Sequence, residues 1–415
     1  MGTFCIFFPM NLRGKKILLG ITGSIAAYKA CELLRILQKR GAEVRVAMTD
    51  DAAKFVGQTT FAALSNFPVL EAAALDTKPF QHIDYPRWAD IYMVAPCSAT
   101  SIARFAHGTG EEPVSLCFLA MQGEKWVVPA MNSAMYNSPA VQKNLEILRS
   151  YGVKVMEPAT GHLACGEEGA GKFPEPEDIA DELEFSSASA NQTLLMTIGR
   201  TQEAIDPVRY ISNGSSGKTG AAIAKEFLRN GWRVIVVCGP MEAKLPKQCE
   251  KIEVKSAKDM NEAVLKMQTQ ANVVAHVAAV ADYHPKHIAA EKIKDSRAVQ
   301  KLELEETPNI LKNTMKNKTQ EQVIVSFALE TENALENAQK KIDESMVDIL
   351  VVNTAASGKG GIGKDFAEYG ILSKIGPLGL PAEPLLALCY DSKEKLASRL
   401  YSRITDSLHF YKRNK

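Results

Sequence analysis

The 415-residue sequence has no apolar run that approaches the ~18 to 20 residues of a membrane span. Its first residues, MGTFCIFFPMNLRGKK, lack the long apolar core and the small-residue cleavage site of a signal peptide. Met10 directly precedes NLRGKKILLGITGS, so residues 1–9 are interpreted as an upstream start or an extension. The 49 basic and 48 acidic residues give a formal charge of +1, which provides no global field for nucleic acid or an anionic membrane. We therefore expect a cytoplasmic protein that binds neither and that meets anionic ligands locally.

Metal-binding cysteine patterns and complete nucleotide motifs are also missing. The eight cysteines show no CxxC or CxxC…H spacing, which argues against zinc and a disulfide framework but leaves room for one catalytic cysteine. SNGSSGKTG (212–220) looks like a phosphate-binding P-loop, yet Ser212 stands where that motif needs its first glycine. A long polar loop also separates Gly217 from the nearest strand candidate, LLMTI (194–198). The GxGxxG fingerprint is absent after either first strand, which disfavours a two-module nicotinamide oxidoreductase.

The same pattern of elements occurs at the start of each half of the chain. Residues 16–49 predict a strand, a glycine-containing loop, a helix, a glycine stop and a second strand, and residues 194–240 repeat this order. Between the halves, EFSSASANQ (184–192) has linker composition. We predict a first domain over 1–185, a linker over 186–192 and a second domain over 193–415.

Mostly unalternating Val/Ile runs predict strands that are buried on both faces of parallel sheets. The fold class is therefore α/β with two Rossmann-like modules, and ligands should bind beyond the carboxyl ends of the strands. In the second module, Ile223, Ala224, Phe227 and Leu228 predict the apolar face of a helix. Further strand candidates are IYMVAP (91–96), KWVVPA (125–130), VVAHVAAV (273–280), VIVSFA (323–328) and DILVVN (348–353).

Polar turns follow two of the predicted strands in the first half. GITGSIAAYK (20–29) places glycine and serine between a strand and a helix, where helix N-terminal amides can hold a phosphate. APCSATSIAR (95–104) repeats the arrangement with the hydroxyls of Ser98, Thr100 and Ser101. These hydroxyls can also N-cap the following helix, and both roles can hold together. Two such turns that face one crevice favour a phosphate site.

Three further segments of the first half display reactive side chains. His82 lies in QHIDYPRWAD just before a strand, and Asn132 lies between two methionines in PAMNSAMYNSP. Cys165 lies next to acidic residues in the glycine-rich segment ACGEEGAGK. Each segment also has a plain interpretation: a surface histidine, packing methionines, and a mobile surface turn with an incidental thiol.

Together these segments, in order from Gly20 to Lys172, resemble the flavin-dependent cysteine decarboxylases that make 4′-phosphopantetheine. The resemblance implies a flavodoxin-like domain in which FMN oxidises the thiol-bearing carbon to a thioaldehyde, whose C=S group accepts the electrons that CO₂ leaves behind. By resemblance His82 is the active-site base, Asn132 grips the substrate carboxylate, and Cys165 is the donor in the closing step on a lid. The resemblance assigns FMN binding to Gly23, Ser24, Thr49 and Ser98.

One segment departs from that family. HGTGEEPVS (107–115) stands where members carry a G-x-x-D-N-L-like stretch. Pro113 removes an N–H and restrains the residue before it, while Glu111 and Glu112 add charge close to a flavin and an anionic substrate. A rearranged loop, a lower flavin affinity and impaired decarboxylation all stay open from the sequence.

Five segments of the second half match another family. They are TIGRTQEAIDPVRYISNGSSGKTG (197–220), AAVADYHPKHIAAEKIK (278–294), ETPNIL (306–311), FALET (327–331) and DILVVN. They resemble the phosphopantothenate–cysteine ligases, which are commonly fused to the decarboxylase. A carboxylate at neutral pH is a poor electrophile, and that family uses CTP to convert it into an acyl-cytidylate before the amine of cysteine attacks. Such chemistry needs cations against the phosphates, including Mg²⁺.

The ligase resemblance also implies individual roles. Lys292 stabilises formation of the acyl-cytidylate, Asp282 contacts CTP or its metal ion, and Asn213 assists conversion of the intermediate to product. His284 stands where arginine is common and Ser345 replaces a frequent second lysine; a missing cation predicts weaker triphosphate binding by ~1 kcal/mol. The CTP site is assigned to Ala278, Asp282, Lys292, Pro308, Asn309, Ile310, Leu311, Phe327 and Lys341.

The resulting hypothesis is a bifunctional enzyme of coenzyme A synthesis that uses 4′-phosphopantothenate, L-cysteine and CTP. Both families form oligomers, so we expect a homo-oligomer with trimeric contacts through the flavoprotein and dimeric contacts through the ligase. The alternative keeps the ligase active and makes the first half a flavin-binding regulatory scaffold with impaired decarboxylation.

Overall fold

The computed structural model describes residues 12–77, 80–164, 166–185, 192–294, 301–354, 363–374 and 388–413. Two units divide the chain, Met1–Ser187 and Ala188–Lys415. Within the described residues, no helix combines the length and the apolar character needed to cross a membrane.

The first unit alternates strands and helices. Its strands are β1 (Lys16–Ile21), β2 (Glu43–Met48), β3 (Ile91–Cys97), β4 (Glu124–Pro129), β5 (Lys154–Val155), β6 (Ala159–His162) and β7 (Glu168–Lys172). Its helices are α1 (Ala27–Lys39), α2 (Asp50–Ala53), α3 (Gln58–Ser65), α4 (Ala72–Thr77), α5 (Gln81–Trp88), α6 (Ala99–His107), α7 (Pro113–Ala120), α8 (Ser133–Tyr136), α9 (Pro139–Ser150) and α10 (Pro176–Phe185).

The main sheet of the first unit is parallel, with the strand order β2-β1-β3-β4-β5. The direction of winding reverses between β1 and β3, where Ile17 lies opposite Ile91. In doubly wound sheets ligands bind beyond the carboxyl ends of the strands at such a reversal. The turns that follow β1 and β3 are therefore neighbours, as a shared phosphate site requires.

The second unit has a larger set of elements. Its strands are β8 (Thr193–Ile198), β9 (Gln202–Ala204), β10 (Tyr210–Ser212), β11 (Arg233–Cys238), β12 (Glu250–Glu253), β13 (Val273–His276), β14 (Tyr283–Pro285), β15 (Leu304–Glu306), β16 (Val323–Glu330), β17 (Ile349–Thr354), β18 (Phe366–Ser373) and β19 (Cys389–Ser392). Its helices are α11 (Lys218–Arg229), α12 (Ala257–Gln268), α13 (Ile310–Lys316), α14 (Ala334–Ser345) and α15 (Lys393–Arg413).

The main sheet of the second unit has the order β12-β11-β8-β13-β16-β17-β18-β19. Its strands are parallel from β12 to β17, and β18 and β19 add an antiparallel edge. The winding reverses between β8 and β13, where Leu194 lies opposite Val273. Two Rossmann-like parallel sheets confirm the predicted fold class.

Apolar residues on both faces of the strands explain these layers. In β1, Leu19 packs in one buried cluster with Leu33 of α1, whereas its neighbour Leu18 packs in a second cluster with Phe105 of α6. Successive side chains of a strand point to opposite faces, so the sheet is covered on both sides. In α11, the four residues predicted to form the apolar face, including Phe227, are all buried.

Two predicted elements end differently in the structure. β13 stops at His276, four residues before the predicted end at Val280. The second half of ACGEEGAGK, predicted as a mobile turn, is strand β7, which forms an antiparallel hairpin with β6. At the predicted linker, α10 ends at Phe185 and β8 begins at Thr193.

Candidate functional sites

Hydrogen bonds of Thr22 connect the turn after β1 to the turn after β3, where the first unit is predicted to bind a phosphate. Its Oγ1 donates to the carbonyl oxygen of Pro96 at 2.9 Å and accepts from the N–H of Ser98 at 2.8 Å. The turn after β1 is thus bonded to the turn after β3. The sequence did not single out Thr22, because its partners lie 74 and 76 residues away.

The predicted flavin-binding hydroxyls cap short backbone segments around this crevice. Ser98 Oγ accepts from the N–H of Ser101 at 3.3 Å and N-caps α6, and Thr49 Oγ1 accepts from the N–H of Ala52 at 3.2 Å and N-caps α2. Ser24 Oγ accepts from the N–H of Ala26 at 3.3 Å. The capping interpretation of Ser98 is confirmed, and its role toward a phosphate stays a prediction.

Gly23 lies where the chain has no room for a side chain. A Cβ atom at this position would lie 2.7 Å from Cβ of Asp51, the second residue of α2. Glycine therefore allows the turn after β1 to approach α2, which Thr49 caps. This approach draws the turn containing Ser24 towards the loop of Thr49.

His82 has an unsatisfied nitrogen. It lies in the first turn of α5, and its Nδ1 is buried with no hydrogen-bond partner in the described part of the chain. A buried polar atom without a partner is costly unless a ligand or water satisfies it. His82 therefore fits the predicted role of a group that exchanges a proton with a ligand.

Asn132 is held in a single amide orientation. Its Oδ1 accepts from the N–H of Ala134 at 2.8 Å and N-caps α8, directly after β4. Its Nδ2 donates to Oε2 of Glu167 at 2.7 Å. Sequence reasoning missed Glu167, although it stands in the quoted segment ACGEEGAGK, and Cys165 of that segment lies outside the described residues.

The departing segment HGTGEEPVS forms a regular helix start. Glu112 N-caps α7, and its carboxylate accepts from the N–H groups of Val114 at 2.8 Å and Ser115 at 3.0 Å. Pro113 occupies the first helical position, where its missing N–H is not needed. Burial raises the pKa of Glu112. The proline and this glutamate are therefore accommodated by an ordered cap.

In the second unit, threonines anchor the segment that follows β13. Thr197 Oγ1 accepts from the N–H groups of Val277 at 3.2 Å and Ala278 at 3.3 Å, and Thr201 Oγ1 accepts from the N–H of Ala281 at 3.0 Å. The residues predicted to end a strand instead form a loop, 277–282, at the reversal between β8 and β13.

Asn213 and the neighbour of Pro308 both form hydrogen bonds with this loop, which contains Asp282. Asn213 Nδ2 donates to the carbonyl oxygen of Val280 at 2.8 Å. Thr307, the neighbour of Pro308, donates through its N–H to the carbonyl oxygen of Asp282 at 2.9 Å. Asp282 is exposed. Three of the predicted ligase residues, far apart in sequence, are thereby brought together.

Lys292 is exposed, and hydrogen bonds with Asp206 and Arg209 hold the backbone of the next residue. Asp206, whose side chain is fully buried, accepts from the N–H of Ile293 at 3.2 Å and from Nε of Arg209 at 2.8 Å. Arg209 in turn donates to the carbonyl oxygen of Ile293 at 2.8 Å. Its hydrogen bonds with Arg209 lower the pKa of Asp206. The backbone next to Lys292 is therefore held at both its N–H and its carbonyl.

The remaining residues that were predicted to bind CTP lie in two places. Asn309 N-caps α13 by accepting from the N–H of Lys312 at 2.9 Å, the side chain of Ile310 is buried in the core, and Leu311 packs against that core. Phe327 lies in β16, and Lys341 of α14 pairs with Glu330.

Of the two residues that depart from the ligase pattern, the structure describes the side chain of His284. A cavity of about 830 Å³ is lined by Asp206, Arg209, His284, Thr307 and Pro308, among others. The side chain of Ser345 is outside the described residues.

No cluster of three or more His, Cys, Asp or Glu that could hold a metal ion occurs within the described residues.

The P-loop interpretation of SNGSSGKTG does not hold in the structure. Twenty positions separate Ile198, the end of β8, from Lys218, the start of α11, and the hairpin of β9 and β10 occupies this stretch. Lys218 Nζ lies 2.7 Å from Oδ1 of Asp365. A P-loop lysine follows its strand directly.

Comparisons with known proteins agree with this division. A family described as "Flavoprotein" matches residues 8–186, and one described as "DNA/pantothenate metabolism flavoprotein C-terminal domain" matches residues 189–408. The fold and the sites thus define a flavoprotein domain joined to a C-terminal domain of pantothenate metabolism.

Curated relatives span nearly the whole chain. The coenzyme A biosynthesis bifunctional protein CoaBC of Bacillus subtilis is 37% identical over 397 residues, which is 93% of this chain and 98% of the relative. The Escherichia coli CoaBC is 38% identical over 386 residues, 90% of this chain and 94% of the relative. A solved C-terminal domain of a CoaBC protein aligns with a TM-score of 0.44 and 32% identity, covering 53% of this chain and 97% of that domain.

The chain belongs to the family of coenzyme A biosynthesis bifunctional proteins CoaBC. It is a bifunctional enzyme with ligase and decarboxylase activities in coenzyme A biosynthesis, as the sequence predicted. Since the relatives match both halves of the chain, the alternative of a first half without decarboxylation is not favoured.

Proposed function

We propose that the second unit joins 4′-phosphopantothenate to L-cysteine with CTP and that the first unit decarboxylates the product to 4′-phosphopantetheine with FMN. The nucleotide, Mg²⁺ and the roles of single residues go beyond the family assignment, whereas a flavin follows from the flavoprotein match over residues 8–186. The observation that carries the proposal is the amide of Asn132. The amide oxygen accepts the hydrogen bond that caps α8, and the amide nitrogen donates to the carboxylate of Glu167. The nitrogen is therefore oriented as a donor to carboxylates, and a carboxylate is the group that a decarboxylase must bind in its substrate.

The residues at the reversal between β1 and β3 fit a flavin phosphate. The hydroxyls of Ser24, Thr49 and Ser98 each accept a backbone N–H, and those of Ser24 and Thr49 each carry an O–H that can donate to a phosphate oxygen. Ser98 Oγ also lies 3.2 Å from Oγ of Ser101, so one hydroxyl of this pair donates to the other and the second can donate to a phosphate. Gly23 keeps the approach to this turn free of a side chain. When bound, FMN supplies a two-electron acceptor and donor for the carbon that bears the thiol.

Three side chains would then act on the substrate. Asn132 Nδ2 binds the carboxylate that is lost as CO₂. His82 Nδ1, which is buried and lacks a partner in the described part of the chain, accepts a proton as the active-site base. Cys165 returns a proton from its Sγ in the closing step.

The ligase reaction proceeds in two balanced steps. A carboxylate oxygen of phosphopantothenate attacks the α-phosphorus of CTP, and the bond to pyrophosphate breaks to give an acyl-cytidylate. The amine of cysteine then attacks the acyl carbon, loses a proton and displaces CMP. Lys292 neutralises charge in the first step, and Asn213 supports the second from the loop 277–282.

Mg²⁺ fits this site as an ion that binds together with the nucleotide. Mg²⁺ usually keeps several waters and binds one or two carboxylates together with substrate phosphates. Asp282 offers one exposed carboxylate at the reversal between β8 and β13. We therefore assign Asp282 to the triphosphate and its metal ion.

The test uses purified full-length protein loaded with FMN. Given phosphopantothenate, cysteine, CTP and Mg²⁺, it should release pyrophosphate and CO₂ and form phosphopantetheine. Phosphopantothenoylcysteine without CTP should yield CO₂ and no pyrophosphate. Replacing CTP with ATP is the matched control for the nucleotide. Absence of pyrophosphate in the complete mixture would contradict the ligase assignment.

Assembly and location are further parts of this proposal. The predicted homo-oligomer combines trimeric contacts of the first unit with dimeric contacts of the second, which requires a larger closed particle. Light scattering of the FMN-loaded protein measures its mass. The cytoplasmic location stays a prediction.

A further inference from the structure

The hydrogen bond between Asn132 and Glu167 pairs a proposed substrate-binding group with a carboxylate of the same chain. Nδ2 of Asn132 and Oε2 of Glu167 are 2.7 Å apart. The amide cannot turn its oxygen toward Glu167 without losing the cap on α8, because Oδ1 accepts from Ala134. A carboxylate therefore occupies the donor that is proposed to hold the substrate carboxylate.

The hairpin of β6 and β7 fixes the backbone that carries Glu167. Met131 donates its N–H to the carbonyl oxygen of Gly171 at 3.0 Å. A Cβ at Gly169 would lie 2.5 Å from Oγ of Ser133, and one at Gly171 would collide with the carbonyl oxygen of Met131. Gly171 also has φ +117°. The root of the hairpin is thus seated on segment 131–133, beside the amide of Asn132.

At the tip of the hairpin, the side chain of Glu167 has room to move. The N–H of Leu163 donates to the carbonyl oxygen of Glu167 at 2.8 Å, which holds the backbone. The residue is otherwise exposed, so a change of rotamer moves its carboxylate into water. Moving the carboxylate away requires no change in the seated strands.

We infer that Glu167 is an internal competitor whose carboxylate takes the place of the substrate carboxylate on Asn132 until the substrate binds. This inference rests on the proposed role of Asn132. An amide nitrogen has two N–H donors, but two carboxylates on one nitrogen repel each other, so substrate binding displaces Glu167. Glu167 thereby raises the apparent Kd for the carboxylate, which equals the intrinsic Kd divided by the fraction of protein in which Asn132 is not paired with Glu167.

The experiment measures binding to the full-length, FMN-loaded protein with two unreactive probes. Phosphopantothenoylserine keeps the carboxylate and replaces the thiol with a hydroxyl, and phosphopantothenoyl-ethanolamine lacks the carboxylate. Their dissociation constants are followed by the flavin spectrum for Glu167→Ala, Asn132→Ala and the unaltered chain. Glu168→Ala is the matched control, because it removes an adjacent exposed glutamate of the same hairpin.

Glu167→Ala should lower the Kd of the serine probe about threefold, the scale of an exposed charged contact, and leave that of the ethanolamine probe unchanged. Asn132→Ala should raise the Kd of the serine probe, and Glu168→Ala should change neither value. An unchanged or raised Kd of the serine probe in Glu167→Ala would overturn the inference while leaving the role of Asn132 intact. If Asn132→Ala leaves the Kd of the serine probe unchanged, the proposed carboxylate site itself is wrong.

Discussion

The two units use the same kind of parallel sheet but build their sites differently at its edge. In the first unit, the side chain of Thr22 bonds to the backbone of Pro96 and Ser98 and connects one turn to the other, and a hairpin seated on segment 131–133 lies beside Asn132. In the second unit, a whole segment leaves the sheet after His276, and Thr197 and Thr201 hold its backbone. Sheet topology sets where each site lies, and local hydrogen bonds set which groups it presents.

Each unit contains its own set of proposed reactive residues. Single substitutions should therefore separate the two activities, and their effects should differ in size according to whether a residue moves a proton, neutralises charge, holds a loop or caps a helix.

His82→Asn should have the largest effect. Loss of a general base typically costs about 10²–10⁴-fold in rate, so CO₂ release from phosphopantothenoylcysteine should fall by that order. Pyrophosphate release from phosphopantothenate and CTP should stay unchanged. His107→Asn, which alters an exposed histidine of α6, is the control and should retain both activities. Loss of pyrophosphate release in His82→Asn would contradict the separation of the two sites.

Lys292→Gln should impair the reaction of the second unit and leave that of the first unit intact. Removing a group that stabilises transition-state charge costs about 10²–10³-fold, which should appear in pyrophosphate release. CO₂ formation from phosphopantothenoylcysteine should be retained. Lys294→Gln removes a charge two residues away on the same exposed segment and should act like the unaltered chain. Equal activities of the two variants would refute the role of Lys292.

Asn213→Ala should have an intermediate and selective effect. It removes the hydrogen bond to Val280, so the loop 277–282 loses a tether and cysteine transfer should fall about tenfold more than nucleotide activation. Pyrophosphate release and formation of the ligated product are measured separately. Asn230→Ala removes an amide at the opposite end of α11 and serves as the control. An equal loss of both half-reactions would argue against a role in the second step.

Glu112→Ala should have the smallest effect on activity. The variant loses the cap of α7, which costs about 1 kcal/mol of stability and about 2–4 °C in the melting temperature of the first unit. CO₂ release should be retained, because the segment acts as a helix start. Thermal unfolding compares this variant with Glu111→Ala, which removes the neighbouring glutamate. A collapse of CO₂ release at normal stability would mean that the departing segment takes part in the reaction.

Residues that act through local patterns could be predicted from the sequence. Val/Ile runs gave the strands, helical spacing gave the buried face of α11, and a serine before a helix gave the cap at Ser98. Parallel strands also put the reactive segments at their carboxyl ends. These inferences need only the periodicity of one element and the chemistry of its ends.

Residues that act through distant partners could not be predicted. Glu167 and Asn132 are 35 positions apart, and Asp206 holds the backbone of Ile293 across 87 positions. The end of β13 was missed for the same reason, because the residues after His276 are apolar like a strand but bond to Thr197 and Thr201. Such contacts depend on strand order, which local periodicity does not contain.

The seating of the hairpin also bears on how substrate preference can change during evolution. Side chains at Gly169 or Gly171 would collide with Ser133 or Met131, so mutations at the root destroy the site together with its support. The exposed side chain of Glu167 carries no such constraint. Variation that alters how acids are bound should therefore be tolerated at Glu167 more readily than at Gly169 or Gly171.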